Sequence, residues 1–234
     1  MKLQIYDWGL LDYHQALERM TRLQKQRINN QISDSLILVE HPPTITLGRK
    51  GGTFYVPMEK LKAQGVQVVN VGRAGEATAH NPGQVVIYPI IHLKQAKLSP
   101  RYLVEDIVNA FVEATRAFDV DSYADLEERV GVWVGKRKLA AIGMQITEGV
   151  TMHGIALNIN NDIDLFSCID ACGQGRSATS MSKELWGRKL PIDDVRALCV
   201  KKIEEYFLRR QESHDYQEQP HLPQGISKTD RLNY

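Results

Sequence analysis

Two observations predict an α+β fold. Apolar residues recur at helical spacing in three separated stretches, and between them stand runs rich in β-branched residues bounded by Gly, Pro and Asn. The first helical stretch opens at Asp12, a residue suited to capping, and carries Tyr13, Ala16, Leu17 and Met20 on one face with His14 off it. The period then changes. Ser35–Glu40 and Thr44–Leu47 read as strands around the break at His41-Pro-Pro43, and residues 66–71 and 85–91 continue the β pattern. Ser99-Pro100 opens a second helix, whose Val104, Ile107, Val108, Phe111, Thr115 and Phe118 should face a sheet. Residues 130–159 read as strand, tight turn at Gly135, strand, short connection at Glu148-Gly149, and strand. Pro191 begins a last helix with Ile192, Val195, Cys199, Ile203 and Tyr206 inward, which makes Cys199 a core residue. Beyond Ser213 the chain is polar and aperiodic. A catalytic body over residues 1–212 and a polar, flexible tail over 213–234 are therefore expected.

Composition narrows the function classes. With 234 residues, 43% hydrophobic and 24% charged, the chain has enough apolar surface for a core without staples. A formal net charge of +1 gives no broad electrostatic case for nucleic acid or anionic lipid as a partner. The cysteines Cys168, Cys172 and Cys199 are too few and too clustered for a disulfide framework, which points to a reducing cytosol. No segment reaches the roughly 18–20 apolar residues of a membrane span, and the N-terminus lacks the apolar run of a signal peptide. A soluble protein with no membrane partner is expected.

Two runs carry chemistry. Residues 72–88 should form a loop at a sheet's end, where Gly75 and Gly83 let backbone N–H groups approach a ligand and Arg73 and His80 supply polar handles. The same composition also fits a plain glycine-rich connection with a solvated arginine. Neither Gly-x-Gly-x-x-Gly nor Gly-Lys-Ser/Thr occurs there, which argues against a nucleotide phosphate loop. The second run leads from Lys138 through His153, Gly154 and Asn158 to Cys172. It reads either as a substrate wall with two polar points, or as a strand with a hydrogen-bonded structural histidine and a solvated lysine. Cys172 precedes a glycine and can present its sulfur to an acyl carbonyl; a nearby cation would favour the nucleophilic thiolate. Spacing alone does not put Lys138 beside it. Cys168 and Cys172 stand at Cys-x-x-x-Cys spacing, but no further Cys or His pair follows, so no metal is expected and Cys168 reads as packing. A Gly-x-Ser-x-Gly elbow is absent.

Four segments, taken in order, resemble a known family. They are Arg73-Ala-Gly-Glu-Ala-Thr-Ala-His-Asn-Pro-Gly-Gln84, then Gly131-Val-Trp-Val-Gly-Lys-Arg-Lys-Leu-Ala-Ala-Ile-Gly143, then His153-Gly-Ile-Ala-Leu-Asn-Ile-Asn160, and then Ala171-Cys-Gly173. Together they resemble the lipoyl(octanoyl) transferases, or octanoyl-acyl-carrier-protein:protein N-octanoyltransferases, over residues 35–185. The resemblance implies a mixed β-sheet flanked by helices, like the catalytic domain of biotin and lipoate protein ligases, in a cytoplasmic enzyme without cofactor. It implies Cys172 as the nucleophile that forms an acyl-thioester, and Lys138 as the group that favours the thiolate and handles protons. It implies acyl-substrate contacts from Arg73, Ala74, Gly75, Glu76, Ala77, Thr78, Ala79 and His80, from Ala141, Ile142 and Gly143, and from Gly154, Ile155 and Ala156. The implied donor is octanoyl-acyl carrier protein. The implied acceptors are lipoyl domains of 2-oxoacid dehydrogenases or the glycine cleavage H protein.

This chain departs from the family pattern at four places. Ala74, Ala79, Asn81 and Ala171 stand where the family has Gly, an aromatic residue, Gly and Pro. The exchange at Ala79 is expected to reshape the acyl pocket. Two rival readings remain: an ATP-dependent lipoate or biotin-type protein ligase on the same scaffold, and a non-catalytic binder of acyl carrier protein.

Overall fold

The computed structural model describes residues 3–170 and 177–217. Its elements in chain order are β1 (Gln4–Leu10), α1 (Tyr13–Ile28), β2 (Ser35–Glu40), β3 (Thr44–Leu47), α2 (Met58–Ala63), β4 (Gln67–Asn70), β5 (Ala77–His80), β6 (Gln84–Ile90), α3 (Pro100–Arg116), β7 (Tyr123–Asp125), β8 (Gly131–Val134), β9 (Arg137–Thr147), β10 (Val150–Asn158), α4 (Met181–Glu184) and α5 (Ile192–Gln217). Seven strands form one sheet in the order β1-β2-β6-β10-β9-β8-β7, and three form a second in the order β4-β3-β5. Both sheets are mixed, because β1 runs parallel to β2 and β3 parallel to β4 while their other neighbours are antiparallel. This is the mixed α+β architecture expected.

Alternation along the central strands sorts their side chains into two cores. Leu36, Leu38, Val85, Ile87, Ile155 and Leu157 pack with the apolar faces of α3 and α5, including Ile107, Phe111, Cys199 and Ile203. The residues between them, Ile37, Val39, Val86, Tyr88 and Ile90, pack with Ala16 and Met20 of α1. Because both faces are covered, β2 and β6 read as continuous apolar runs. A third, smaller core holds Ile45, Leu61, Val66, Ala77, Ala79, Phe166 and Ile169 beneath the small sheet.

Local chemistry accounts for the boundaries. The Asp12 side chain accepts from the N–H groups of His14 (2.9 Å) and Gln15 (3.2 Å), and Ser99 caps α3 with Pro100 in its first turn. The connection of β9 to β10 is a two-residue hairpin in which Glu148 (φ 49°) and Gly149 (φ 77°) are both left-handed, as a type I′ turn requires.

Several elements differ from the sequence reading. β1 went unread because it is an exposed edge strand interrupted by an irregularity between Asp7 and Leu10, so it carries little apolar alternation. Ala77–His80 is a strand inside the stretch read as a loop. Its short, alanine-rich sequence has weak β preference, and pairing with β3 (Ile45 against Ala79, Leu47 against Ala77) decides its conformation. α5 continues to Gln217, past the Ser213 boundary. Among the described residues no helix is long and apolar enough to cross a membrane.

Candidate active site

The α1 face of the large sheet and the β5 end of the small sheet enclose a cavity of about 730 Å³. Its floor comes from Val86 and Tyr88 of β6, from Ala141, Ile142 and Gly143 of β9, and from Gly154, Ile155 and Ala156 of β10. The loop from Arg73 to Glu76 and the β5 residues Ala77, Thr78 and His80 form the opposite wall, with Tyr13 of α1. Two glycines paired across β9 and β10 fit crowded places, Gly143 beneath the loop and Gly154 against the neighbouring strand β6. A Cβ on Gly143 would lie 2.6 Å from the Ala74 carbonyl oxygen, and one on Gly154 would lie 2.1 Å from that of Ile87. The Ala74 N–H donates to the Met144 carbonyl (3.0 Å) and ties the loop to the floor.

Most of the expected contacts line this cavity. Ala79 does not: strand alternation turns it into the small-sheet core, fully buried against neighbours such as Ile45 and Leu61. The identity of residue 79 therefore acts on the small core, and the cavity wall there belongs to Thr78 and His80. Gly83 is also removed from the cavity, its N–H spent on the Glu40 carboxylate (2.7 Å). Asn158 is a structural tie, donating to the Thr179 carbonyl (2.9 Å) and accepting from Gln84 and Asn161.

Lys138 reaches the cavity through a β-bulge. Val132 pairs with Ala140 and Trp133 with Lys138, so Leu139 is an extra residue in β9. Leu139 and Ala140 both enter the large core, and the displaced alternation puts Lys138 on the cavity face with Ala141 and Gly143. Its Nζ lies 4.9 Å from the centre of the Trp133 ring. Where the pairing of β10 with β9 ends, residues 177–179 take its place: the Lys138 N–H donates to the Ser177 carbonyl (3.1 Å), and the Thr179 N–H donates to that of Lys138 (2.9 Å). Cys172 and Gly173 lie outside the described residues. Their flanks are fixed, at one end by the Asp170 N–H on the Thr53 carbonyl (2.9 Å) and at the other by Ser177 against Lys138.

A buried polar cluster adjoins the floor, and much of it was not legible in the sequence. Nδ1 of His41 lies 2.8 Å from the Leu11 carbonyl, so it carries the proton and Nε2 accepts from the Tyr88 hydroxyl (2.8 Å). Gln84 donates its amide to Ala79 and Asn158, which leaves its oxygen to accept from Nδ1 of His80 (2.8 Å). The Arg73 guanidinium donates to the Thr46 carbonyl (2.9 Å), the Thr46 hydroxyl (2.8 Å) and the Ala74 carbonyl (3.1 Å). Tyr13, His41, Thr46 and Tyr88 sit far apart in the chain and share no motif. Only the polar tip of Tyr13 on an otherwise apolar helix face hinted at such a cluster.

Burial sets the charge states here. It pushes His41 down to about 4, and together with the Arg73 cation it pushes His153 to the same value. His80 lies well below the ordinary histidine value for the same leading reason. Burial raises Tyr13 to about 12 and holds Tyr88 well above the ordinary phenol value, so both phenols stay neutral. These histidines are charged more readily in the unfolded chain, so the unfolded state binds more protons between about pH 6.5 and 4. Stability is full above that window and falls as the pH drops through it, by about 3 kcal/mol each for His41 and His153. The urea-unfolding midpoint should decline steadily from pH 7 to pH 5, where most carboxylates are still ionised. A flat midpoint over that range would contradict neutral burial.

Comparisons with known proteins place this architecture. The family described as the lipoyl protein ligase A/B catalytic domain matches residues 12–204. An octanoyltransferase of Caldicellulosiruptor saccharolyticus is 38% identical over 211 residues, 88% of each chain. One of Roseiflexus sp. is 42% identical over 193 residues, 78% of each. Among solved structures, a lipoate-protein ligase A bound with ATP superposes with a TM-score of 0.67 at 14% identity, covering 89% of this chain and 86% of that one. A biotin protein ligase from Aquifex aeolicus in complex with biotin and ATP gives 0.59 at 12% identity, covering 89% and 72%. The ligase structures share the fold, while the sequence relatives at 38–42% identity are octanoyltransferases. On the match over residues 12–204, this chain belongs to the lipoyl protein ligase A/B catalytic domain family.

Proposed function

We propose that this protein is an octanoyltransferase of protein lipoylation, moving an octanoyl group from the thioester of acyl carrier protein to a lysine of a lipoyl domain by way of Cys172. The observation that carries this reading is the identity to octanoyltransferases over most of the chain. The cavity supports it: about 730 Å³ is ample for a medium acyl chain, and apolar Val86, Ala141 and Ala156 offer that chain a floor. The bulge at Leu139 that turns Lys138 onto the same cavity supports a role for that amine beside the reacting thioester.

The chemistry is two acyl transfers. Lys138 takes the Cys172 thiol proton, and the thiolate attacks the carbonyl carbon of the octanoyl thioester; the new carbon–sulfur bond forms, the bond to the carrier breaks, and the carrier sulfur takes that proton back from Lys138 and leaves as a thiol. The lysine amine of the acceptor then attacks the enzyme thioester. A carbon–nitrogen bond forms, the Cys172 sulfur leaves, and the amine proton is handed to the nearby base, for which Lys138 is our assignment. The acyl group arrives activated, so ATP is not consumed. The donor, as octanoyl-acyl carrier protein, and the acceptors, as lipoyl domains of 2-oxoacid dehydrogenases or the glycine cleavage H protein, belong to the same proposal, as does a cytoplasmic setting.

The test is intact-protein mass spectrometry of the purified chain mixed with octanoyl-acyl carrier protein in the absence of ATP. An octanoyl increment labile to hydroxylamine, discharged on adding a lipoyl domain, is the expected result. Acceptor modification that requires ATP and free octanoate, with no adduct, would instead make the protein a ligase. Tight binding of the carrier without any transfer would make it a binder.

A further inference from the structure

The turn that ends α4 carries a side chain the fold does not use. Two bonds close that helix, one from the Trp186 N–H to the Lys183 carbonyl (3.3 Å) and one from the Gly187 N–H to the Ser182 carbonyl (2.8 Å). This is the Schellman pattern, in which the residue at the place of Trp186 is left-handed and is usually glycine. Here a tryptophan holds that conformation (φ 58°), and it is 100% exposed. A bulky side chain makes the left-handed state costly, and a fully hydrated indole offsets none of that cost by burial. Single apolar residues are ordinary on a protein surface. A strained one without packing is of the kind retained for a role outside the fold.

Its surroundings are basic. Lys183, Arg188 and Lys189 flank it in sequence and are exposed. Arg137 grips Glu184 with two nitrogens (2.8 and 2.7 Å), which brings the β8–β9 turn and its exposed Lys136 to the same helix. Two carboxylates in this patch are engaged, Glu184 by Arg137 and Asp119 by Arg188 (3.3 Å). Lys136, Lys183 and Lys189 are therefore in excess here, on a chain whose formal net charge is only +1.

The patch adjoins the cavity without entering it. Residues 177–179 run beside Lys138 and lead directly into α4, and the Cα of Trp186 lies within about 8 Å of that of Glu184. Lys136, Lys183, Trp186 and Lys189 are not among the cavity's lining residues. A partner seated on this face must therefore reach around the rim at Lys138. A carrier protein does so, because its acyl group hangs on a long flexible prosthetic arm. An acceptor must instead bring a lysine side chain to the thioester itself.

We propose that Trp186, with Lys136, Lys183 and Lys189, is the docking surface for an acidic acyl carrier protein. The proposal rests on the acyl-transfer reading above and names the face of the protein that the donor uses. The indole is an aromatic anchor of the type that dominates binding energy at interfaces, and the lysines steer a negatively charged partner toward it.

The test compares two octanoyl donors, the carrier-protein thioester and octanoyl-pantetheine, which keeps the end of the arm and lacks the protein. In Trp186→Gly, kcat/KM for the carrier thioester should fall about 10- to 100-fold, all of it through KM. Octanoyl-pantetheine should be used as by the parent protein. The melting temperature should hold or rise, because glycine fits the left-handed position. Lys183→Glu combined with Lys189→Glu should also raise KM for the carrier, and added salt should weaken carrier use more in the parent than in that variant. An equal loss with both donors, a loss in kcat alone, or no loss at all overturns the docking surface. A raised KM for the lipoyl domain with carrier use intact gives the face to the acceptor and overturns it too. So does self-association of the parent that Trp186→Gly abolishes while carrier use is unchanged. If neither donor acylates the parent protein, the transfer reading itself falls.

Discussion

Replacing Cys172 by alanine is expected to abolish the hydroxylamine-labile octanoyl adduct and to slow octanoyl-amide formation by about 10³-fold or more. The expectation follows from the chemistry. Without the thiolate, the acceptor amine must attack the carrier thioester directly, with both large partners engaged at once, and the division of one hard step into two easier ones is lost. Any residual rate would report what binding and orientation supply on their own. Transfer at the parent rate in the alanine protein would eliminate the covalent route while leaving the family assignment untouched. Fold integrity should be unaffected by so small a truncation, and a circular dichroism melt of the same sample checks it.

The second large effect is expected at Lys138. Changing it to methionine keeps an aliphatic side chain of similar length and removes the amine, whose Nζ stands 4.9 Å from the Trp133 ring centre. The acylation rate in single turnover should fall about 10²- to 10⁴-fold, the range ascribed to a positioned acid–base group. Stability should change far less than the rate, because the side chain is half-exposed and the substitution keeps an aliphatic stem in its place. Those two readouts must separate. A methionine protein that melts at the parent temperature and acylates at the parent rate would reduce Lys138 to a packing residue on the cavity rim.

How this chain folds was legible where periodicity is strong. Asp12 and Ser99 as caps, the apolar faces of α1 and α3, the hairpin at Glu148-Gly149 and the inward Cys199 all follow from local spacing, because each depends on neighbours within a turn or across a two-residue loop. β5 was not legible. Four residues dominated by alanine, threonine and histidine carry no period, and only the register with β3 makes them a strand. The edge strand β1 escaped for the opposite reason: its surface is exposed and its pattern is not apolar enough to stand out.

The site divides in the same way. By itself the sequence determined the family and hence the order of motifs, with Cys172 before a glycine, Lys138 in a hairpin and Arg73 through His80 between strands. Tertiary structure alone decided which of those side chains share a cavity. Strand alternation turns Ala79 away from the lining while Thr78 and His80 stay, and one extra residue at Leu139 brings Lys138 to it. Tertiary structure also gathered Tyr13, His41, Thr46 and Tyr88 around Arg73 and left His153 strained and unpartnered among the described residues. The physical reason is that a side chain's direction in a sheet depends on register. A single-residue shift reverses that direction, and register is set by pairing between segments remote in sequence.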